Sequence, residues 1–253
     1  MFAISYDRPA DLRAFADRHV IEYPLLGDEG SQAIRALGVL DEDLEAHHAV
    51  FGVATRAEQQ GVAYPMTFVL DERGRVARKI VEENYRVRSS SGWLLADIAS
   101  APDDGSGPTL DATGGASMVT ARARLDASAY FPFQRLRLEL RLDVAAGWHV
   151  YGPAVPPGYT GLSIAVTSAP EGVRLGPVVW PGTHPFHVAG LDEDFAVYEG
   201  AISVGVPLEF RVPRNSGAVK LDLALRLQAC SATECLPPSE IRLTLDVPET
   251  PAL

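Results

Sequence analysis

The two cysteines of this 253-residue sequence lie close together, in Cys230-Ser-Ala-Thr-Glu-Cys235, and they are its only thiols. An alternating segment over 218–228 leads into the pair and another over 240–247 leads out of it, which predicts a β-hairpin with the cysteines flanking its tip. Strands joined by a four-residue loop can hold opposite Cα atoms about 5.5 Å apart, a separation that suits a disulfide. The chemistry indicated is therefore disulfide formation.

The residues alone leave open what such a disulfide does. Closing so short a loop contributes only about 2 kcal/mol in the chain-entropy model, and a hairpin already brings its ends together. A reversible redox pair, a structural hairpin disulfide and two unused thiols all remain alternatives. If the strand continues without a bulge, Ala229 faces the core and Cys230 lies on the outer face beside Gln228, which favours an accessible thiol.

Composition narrows the class of protein. The length fits one large or two ordinary domains, and 47% apolar residues are enough to build real cores. The formal net charge of −11 argues against a surface that binds nucleic acid or anionic membranes. No apolar run is long enough to span a membrane, and the segment after Met1 begins at once as a strand, so we expect no signal peptide in the sequence as given.

The pattern of the sequence changes along the chain and predicts two domains. Residues 1–99 mix short apolar strands with amphipathic helices, which indicates an α/β domain. Residues 100–117 are rich in Pro, Gly, Asp and Ser and are predicted to be a linker. Residues 118–249 alternate with a period of two, most clearly over 135–144, and predict an antiparallel sandwich.

Five segments of the first domain form a set: Ala3-Ile-Ser-Tyr-Asp7, Leu12-Arg-Ala-Phe-Ala16, Tyr23-Pro-Leu-Leu-Gly-Asp28, Ile34-Arg-Ala-Leu-Gly-Val39 and Tyr64-Pro-Met-Thr-Phe-Val-Leu-Asp71. Together they resemble the peroxiredoxin/thioredoxin-like (AhpC/TSA, redoxin) family. The resemblance implies a thioredoxin-like fold, and it implies that Pro65 is the family's cis-proline, which lies beside the reactive cysteine.

The first domain departs from that family in one respect. The family's reactive cysteine lies upstream of the segment where this sequence starts, and no cysteine precedes Cys230. We therefore expect an incomplete thioredoxin-like domain that cannot use cysteine chemistry as given. Of two explanations, residues missing before Met1 or a degenerate partner module, we favour missing residues, since losing a central strand would expose a sheet edge.

A second set of segments lies in the alternating domain: Gly147-Trp-His-Val-Tyr151, Pro156-Pro-Gly158, Val179-Trp-Pro181, Asp192-Glu-Asp-Phe195, Tyr198-Glu-Gly200 and Cys235-Leu-Pro-Pro238. These resemble the N-terminal periplasmic domain of the thiol:disulfide interchange protein DsbD. The resemblance implies an immunoglobulin-like sandwich in a periplasmic or otherwise extracytoplasmic protein. It also implies electron transfer from a membrane-embedded donor to thiol–disulfide partner proteins.

The resemblance assigns roles to individual residues. Cys235 matches the cysteine that forms the mixed disulfide, and Cys230 matches the one that resolves it. His149 and Tyr151 match aromatic positions near the pair; for His149, a base and an ordinary strand-end residue are both open. A cap over the cysteines is implied for Asp192, Glu193, Asp194 and Phe195, with inward packing of Phe195 as the alternative.

The function predicted is thiol–disulfide exchange through the Cys230/Cys235 couple, in disulfide correction or cytochrome c maturation, by a thiol–disulfide oxidoreductase. We expect no cofactor beyond the disulfide and no metal, because neither the spacing of the histidines 19, 47 and 48 nor that of the acidic residues 192–194 fits a standard site. Two other functions stay open: a non-catalytic interaction module with a structural disulfide, and a truncated thiol peroxidase of the AhpC/TSA type.

Overall fold

The structure, a computed structural model, describes residues 1–50, 52–81, 86–95, 110–187 and 194–251. The chain divides into two compact units, Met1–Arg86 and Val87–Leu253, and each is described by itself. None of the helices in the described ranges combines the length and the apolar character needed to cross a membrane.

The first unit contains helices and two separate two-stranded sheets. Strands β1 and β2 pair in parallel, whereas β3 and β4 form an antiparallel hairpin. Its elements are β1 Ala3–Ser5, α1 Pro9–His19, β2 Leu25–Gly27, α2 Gln32–Ala36, α3 Leu44–Val50, a 3-10 turn Ala57–Gln59, β3 Met66–Leu70 and β4 Val76–Val81. This agrees with an α/β domain, while the thioredoxin-like fold stays a prediction.

Pro65 precedes β3 and its peptide bond is trans, so the prediction of a cis-proline is wrong. The trans form is intrinsically favoured by about 0.5–1 kcal/mol, and surrounding structure must impose the cis form.

The second unit is built almost entirely of strands. Its elements are β5 Arg88–Ser89, α4 Ser91–Leu95, β6 Leu110–Ala116, β7 Val119–Leu125, β8 Gln134–Val144, β9 His149–Tyr151, β10 Ser163–Ser168, β11 Val173–Leu175, β12 His184–His187, β13 Asp194–Glu199, β14 Ala201–Phe210, β15 Val219–Leu227, β16 Ala229–Cys230 and β17 Ser239–Val247. All of its strand pairs are antiparallel except the short β5–β8 pair.

Three sheets make up this unit. The largest has the order β11-β14-β8-β7-β6, with β5 beside β8; the others are β10-β15-β17 and β12-β13-β9-β16. One continuous core draws buried side chains from the first two sheets, as in a sandwich. Along β8 the leucines 136, 138, 140 and 142 are fully buried and alternate with charged residues, which confirms the predicted alternation.

The boundary between the units lies earlier than the predicted one after residue 99. Val87 is fully buried, and Arg88 and Ser89 pair with β8. The Ser90 hydroxyl donates a hydrogen bond to the Asp126 carboxylate at 2.5 Å. These contacts join residues 87–90 to the sandwich, although their sequence carries no long alternating pattern.

The predicted linker over 100–117 is corrected in its second half, because Leu110–Ala116 forms β6. This strand pairs with β7 from Leu110↔Leu125 to Ala116↔Val119. Gly114 lies against the neighbouring sheet so closely that a Cβ there would be 2.9 Å from the carbonyl oxygen of Arg242. The glycines therefore permit close packing here rather than flexibility. Residues 100–109 lie outside the described residues.

Leu140 and Arg141 provide a test of the sandwich, because they are neighbours on opposite faces of β8. We expect Leu140→Ala to lower the free energy of unfolding by about 2–5 kcal/mol through the cavity it leaves. Arg141→Ala, at an exposed position, should change it by less than about 0.5 kcal/mol. Denaturant unfolding followed by tryptophan fluorescence reports on this unit, since residues 93, 148 and 180 are the only tryptophans. Equal losses in both variants would contradict this burial pattern.

Candidate functional site

The cysteines lie on an excursion between the two arms of a hairpin. β15 and β17 pair over nine positions, from Val219↔Val247 to Leu227↔Ser239, as the sequence predicts. The chain does not turn directly from one to the other. Instead β16 joins the other sheet beside β9, with Ala229 opposite Val150 and Cys230 opposite His149.

Gln228 fixes the point at which the chain changes sheets. Its side-chain amide donates to the carbonyl oxygen of Leu236 at 3.2 Å, and its side-chain oxygen accepts from the backbone N–H of Thr160 at 3.1 Å. The two bonds connect the start and the end of the excursion and tie both to the segment that follows β9. The cysteine loop is therefore held at its base by side-chain as well as backbone bonds.

Cys230 and Cys235 form a disulfide with their Cα atoms 4.0 Å apart. The backbone explains why this is less than the expected separation. Ser231 N–H donates to Glu234 O at 2.7 Å and Leu236 N–H donates to Ala229 O at 2.9 Å, so the cysteines face each other between these two bonds. Such a non-hydrogen-bonded pair brings Cα atoms to about 4.5 Å, closer than the about 5.5 Å of a hydrogen-bonded pair.

The two cysteines differ in exposure. Cys230 is 1% exposed, whereas Cys235 is exposed. Ala229 faces the main core and Cys230 points to the opposite face, as the alternation predicts. The further inference that Cys230 is accessible is wrong, because aromatic side chains cover that face. Of the two cysteines, only Cys235 is exposed to solvent.

A single face of the four-stranded sheet carries the residues around the disulfide. Its register aligns Cys230 with His149 and Glu199, Tyr151 with Val197 and His184, and Phe195 with Phe186. Cross-strand partners and residues two apart on a strand share a face. We call this set the cysteine face: Cys230, His149, Tyr151, His184, Phe186, Phe195, Val197 and Glu199. Residues between them, such as Val150 and Tyr198, join the main core instead.

Tyr151 lies at the centre of the cysteine face and touches both sulfurs. Its hydroxyl is 3.5 Å from Sγ of Cys230 and 3.6 Å from Sγ of Cys235. Disulfide sulfurs carry no hydrogen, so the hydroxyl is the donor. Its ring packs on Tyr159 and Phe195, with centroids 5.2 and 5.4 Å away, and the side chain is 1% exposed. This packing fixes the hydroxyl over the disulfide.

Phe195 and Asp194 lie in strand β13, where a cap loop was expected. Phe195 is 3% exposed and belongs to the same buried cluster as Cys230 and Tyr151. Asp194 is exposed, and its carboxylate is 3.1 Å from Nδ1 of His187. Asp192 and Glu193 lie outside the described residues, so a cap formed by them stays a prediction.

His149 is 2% exposed and lies directly across from Cys230. Burial lowers the pKa of its ring; Glu199 opposes this shift and His184 adds to it. The imidazole is therefore neutral at pH 7. Its Nε2 has no hydrogen-bond partner among the described residues, while the ring packs against the tilted ring of Phe186 with centroids 4.0 Å apart. A role as a base stays a prediction.

The sequence analysis assigned no role to three residues of the site. Phe186 and Tyr159 pack around the cysteine cluster, and Glu199 is the cross-strand neighbour of His149. Phe186 and Tyr159 lie in segments rich in Pro and Gly, without clear periodicity. Their positions depend on strand register and on the path of the chain after β9, which local patterns do not specify.

The histidines that were considered as metal ligands belong to the first unit and have other contacts. His47 Nδ1 is 2.8 Å from the Asp41 carboxylate, and His48 Nδ1 is 2.9 Å from the Thr55 hydroxyl. His19 packs on the ring of Phe15. Within the described ranges, no three His, Cys, Asp or Glu side chains come together as metal ligands.

The buried His149 predicts a pH dependence of stability. Its pKa in the folded protein is lowered below the ordinary 6.5, whereas in the unfolded chain it returns to that value. At pH values just below 6.5 the unfolded chain therefore binds more protons than the folded protein. The free energy of unfolding should therefore fall as the pH drops below about 6.5. His149→Phe keeps an aromatic ring and should flatten this fall, as measured by denaturant unfolding at a series of pH values. A parallel fall in both proteins would contradict the assignment.

Different protein families match the first and the second part of the chain. The family model described as "Thiol:disulfide interchange protein DsbD, N-terminal" matches residues 117–246, and the model "AhpC/TSA family" matches residues 1–79. None of the curated proteins matches the sequence. Both matched families and the disulfide indicate a thiol–disulfide redox role.

Several solved structures are similar to part of the chain, and two of them illustrate the similarity. The N-terminal periplasmic domain of ScsB from Proteus mirabilis is 21% identical, with a TM-score of 0.41, over 56% of this chain and 53% of that one. The chain thus spans about half the length of that protein. The reduced DsbD N-terminal domain of Neisseria meningitidis is 13% identical, with a TM-score of 0.31, over 61% of this chain and 94% of that one. Since the DsbD model covers more than half of the sequence, the chain belongs to the DsbD N-terminal domain family.

Proposed function

We propose that the Cys230/Cys235 couple exchanges electrons with thiol–disulfide partner proteins. The observation that carries the proposal is the unequal exposure of the two sulfurs under a single tyrosine hydroxyl. A disulfide whose exposed half faces solvent and whose other half is buried has a defined point of attack. A purely structural bond does not need this asymmetry.

The exchange proceeds in two substitutions at sulfur. In the reduced protein the Cys235 thiolate attacks a sulfur of the partner's disulfide; that bond breaks, one partner sulfur leaves as a thiolate, and a mixed disulfide forms. The Cys230 thiolate then attacks Sγ of Cys235, the second partner thiolate leaves, and the internal disulfide closes. Two electrons pass from the protein dithiol to the partner. A dithiol donor restores the reduced state by the reverse steps.

The geometry gives each cysteine its role. Cys235 is the exposed sulfur and is the one that a partner reaches first. Cys230 is buried beneath Tyr151 and Phe195, so it cannot be attacked by a bulky disulfide, yet it faces Cys235 across the strand pair. It is therefore placed to resolve the mixed disulfide and release the partner.

Tyr151 assists by stabilising charge on sulfur. Each substitution begins from a thiolate at one of the two positions that its hydroxyl contacts in the disulfide, Cys235 in the first step and Cys230 in the second. A hydrogen bond to a charged acceptor is worth more than one to a neutral acceptor. The hydroxyl thus favours the reduced, charged states over the closed disulfide.

Family membership supports a wider setting for this chemistry. We propose that the protein works outside the cytoplasm, in the periplasm, where disulfides persist; the similar ScsB domain is periplasmic. Its partners are thiol–disulfide proteins with a membrane-embedded electron donor, in disulfide correction or cytochrome c maturation. The couple itself carries the electrons, so no further cofactor is required.

Trapping variants test the exchange. Cys230→Ser leaves the exposed Cys235 without its resolving partner and should accumulate mixed disulfides, seen on non-reducing gels and identified by mass spectrometry. Cys235→Ser leaves only the buried thiol and should trap little. Trapping by Cys235→Ser alone would reverse the roles. Trapping by neither, with a reduction potential below about −300 mV, would instead indicate a structural disulfide in an interaction module.

Tyr151→Phe tests the hydroxyl. Because it removes the donor to the sulfurs but keeps the ring, we expect the rate at which the reduced protein reduces a model disulfide to fall about tenfold. Tyr159→Phe is the matched control, since it removes a hydroxyl from the same aromatic cluster. Equal rates for Tyr151→Phe and the unaltered protein would remove Tyr151 from the mechanism.

A further inference from the structure

A pocket of about 540 Å³ opens beside the cysteine loop, within the second unit. Ala232, which lies between the two cysteines in sequence, forms part of its wall. A group bound there is therefore adjacent to the loop that carries the exposed sulfur. The full lining is Ala145, Ala146, Gly147, Trp148, His149, Phe186, Glu199, Gly200 and Ala232.

The pocket carries one negative charge. Glu199 is the only acidic side chain among the described residues that line it, and it is half exposed. The nearest basic group is Nε2 of His184, 3.5 Å from the carboxylate, and it forms an ion pair only when protonated. His149 adds no positive charge at pH 7, because burial lowers the pKa of its ring. The carboxylate is thus available to a cation.

Aromatic side chains form part of the pocket wall. Trp148 and Phe186 are partly buried, and both line the space. The faces of such rings attract cations. His149 lies in the same wall, and its Nε2 is buried without a hydrogen-bond partner among the described residues.

We propose that this pocket receives an arginine side chain of the partner protein, close in sequence to the partner's reactive cysteine. The guanidinium group stacks on the aromatic wall and donates to Glu199, which brings the partner's disulfide to Cys235. This deepens the proposed exchange function and rests on it. The formal net charge of the chain, −11, also attracts a partner segment that carries positive charge.

Arginine fits the pocket better than the other charged side chains. Its planar group offers five N–H donors and stacks on aromatic rings, whereas lysine presents a compact and strongly hydrated charge. A carboxylate guest is excluded by repulsion from Glu199. An uncharged apolar guest would leave that carboxylate unpaired inside the complex.

The experiment compares two synthetic peptides that differ only in charge. Each has five residues with one cysteine, held as a mixed disulfide with thionitrobenzoate; two positions after the cysteine, one peptide carries arginine and the other its neutral analogue citrulline. The reduced full-length protein is mixed with each peptide, and released thionitrobenzoate is followed by absorbance. We expect the arginine peptide to react about fivefold faster.

Variants assign that preference to the pocket. In Glu199→Gln, thionitrobenzoate should be released from the arginine and the citrulline peptide at about equal rates. Glu171→Gln removes the same charge from an exposed turn outside the pocket and should keep the ratio. The subsite is overturned if the unaltered protein releases thionitrobenzoate from both peptides at the same rate. It is also overturned if Glu199→Gln keeps the faster release from the arginine peptide. In either case the exchange function still stands. If the unaltered protein releases thionitrobenzoate from the two peptides no faster than Cys235→Ser does, the exchange function is overturned, and the subsite with it.

Discussion

The pairing of β16 with β9 is the contact on which the site depends. Two residues, Ala229 and Cys230, leave the main hairpin and align with Val150 and His149. That alignment puts Ala229 into the sandwich core and Cys230 onto the opposite face, under Tyr151 and Phe195. A shift of one residue would exchange the faces and bring the cysteine into the core. The anchoring bonds of Gln228 at the base of the excursion oppose such a shift.

The same pairing produces the inequality between the two sulfurs. Cys230 belongs to β16, the edge strand of its sheet, and lies in a buried cluster with Tyr151 and Phe195, whereas Cys235 lies on the returning segment and is exposed. Burial protects one sulfur from attack and exposure offers the other. A partner that approaches from solvent therefore meets Cys235 before Cys230, which fits the exchange proposed for the pair.

Much of the fold follows from local pattern. The alternation over 135–144 predicts β8, and the segments on either side of the cysteines predict β15 and β17, because one wet and one buried face impose a period of two. The same reasoning missed β6, whose glycines were taken for a linker although they allow close packing against the neighbouring sheet. It also set the domain boundary too late, since the short β5 owes its structure to pairing with β8.

The sequence by itself determined that the only two thiols form one short-range pair beside an alternating hairpin, and its motifs indicated the family. The tertiary structure decided which cysteine is exposed, that Tyr151 contacts both sulfurs, and that Phe186 and Glu199 join the site. Tyr151 and Cys230 are 79 positions apart, and their contact depends on the register of strands that are distant in the sequence. A periodic pattern specifies which face of a strand is buried, but the register between distant strands is set by the packing of the whole sheet.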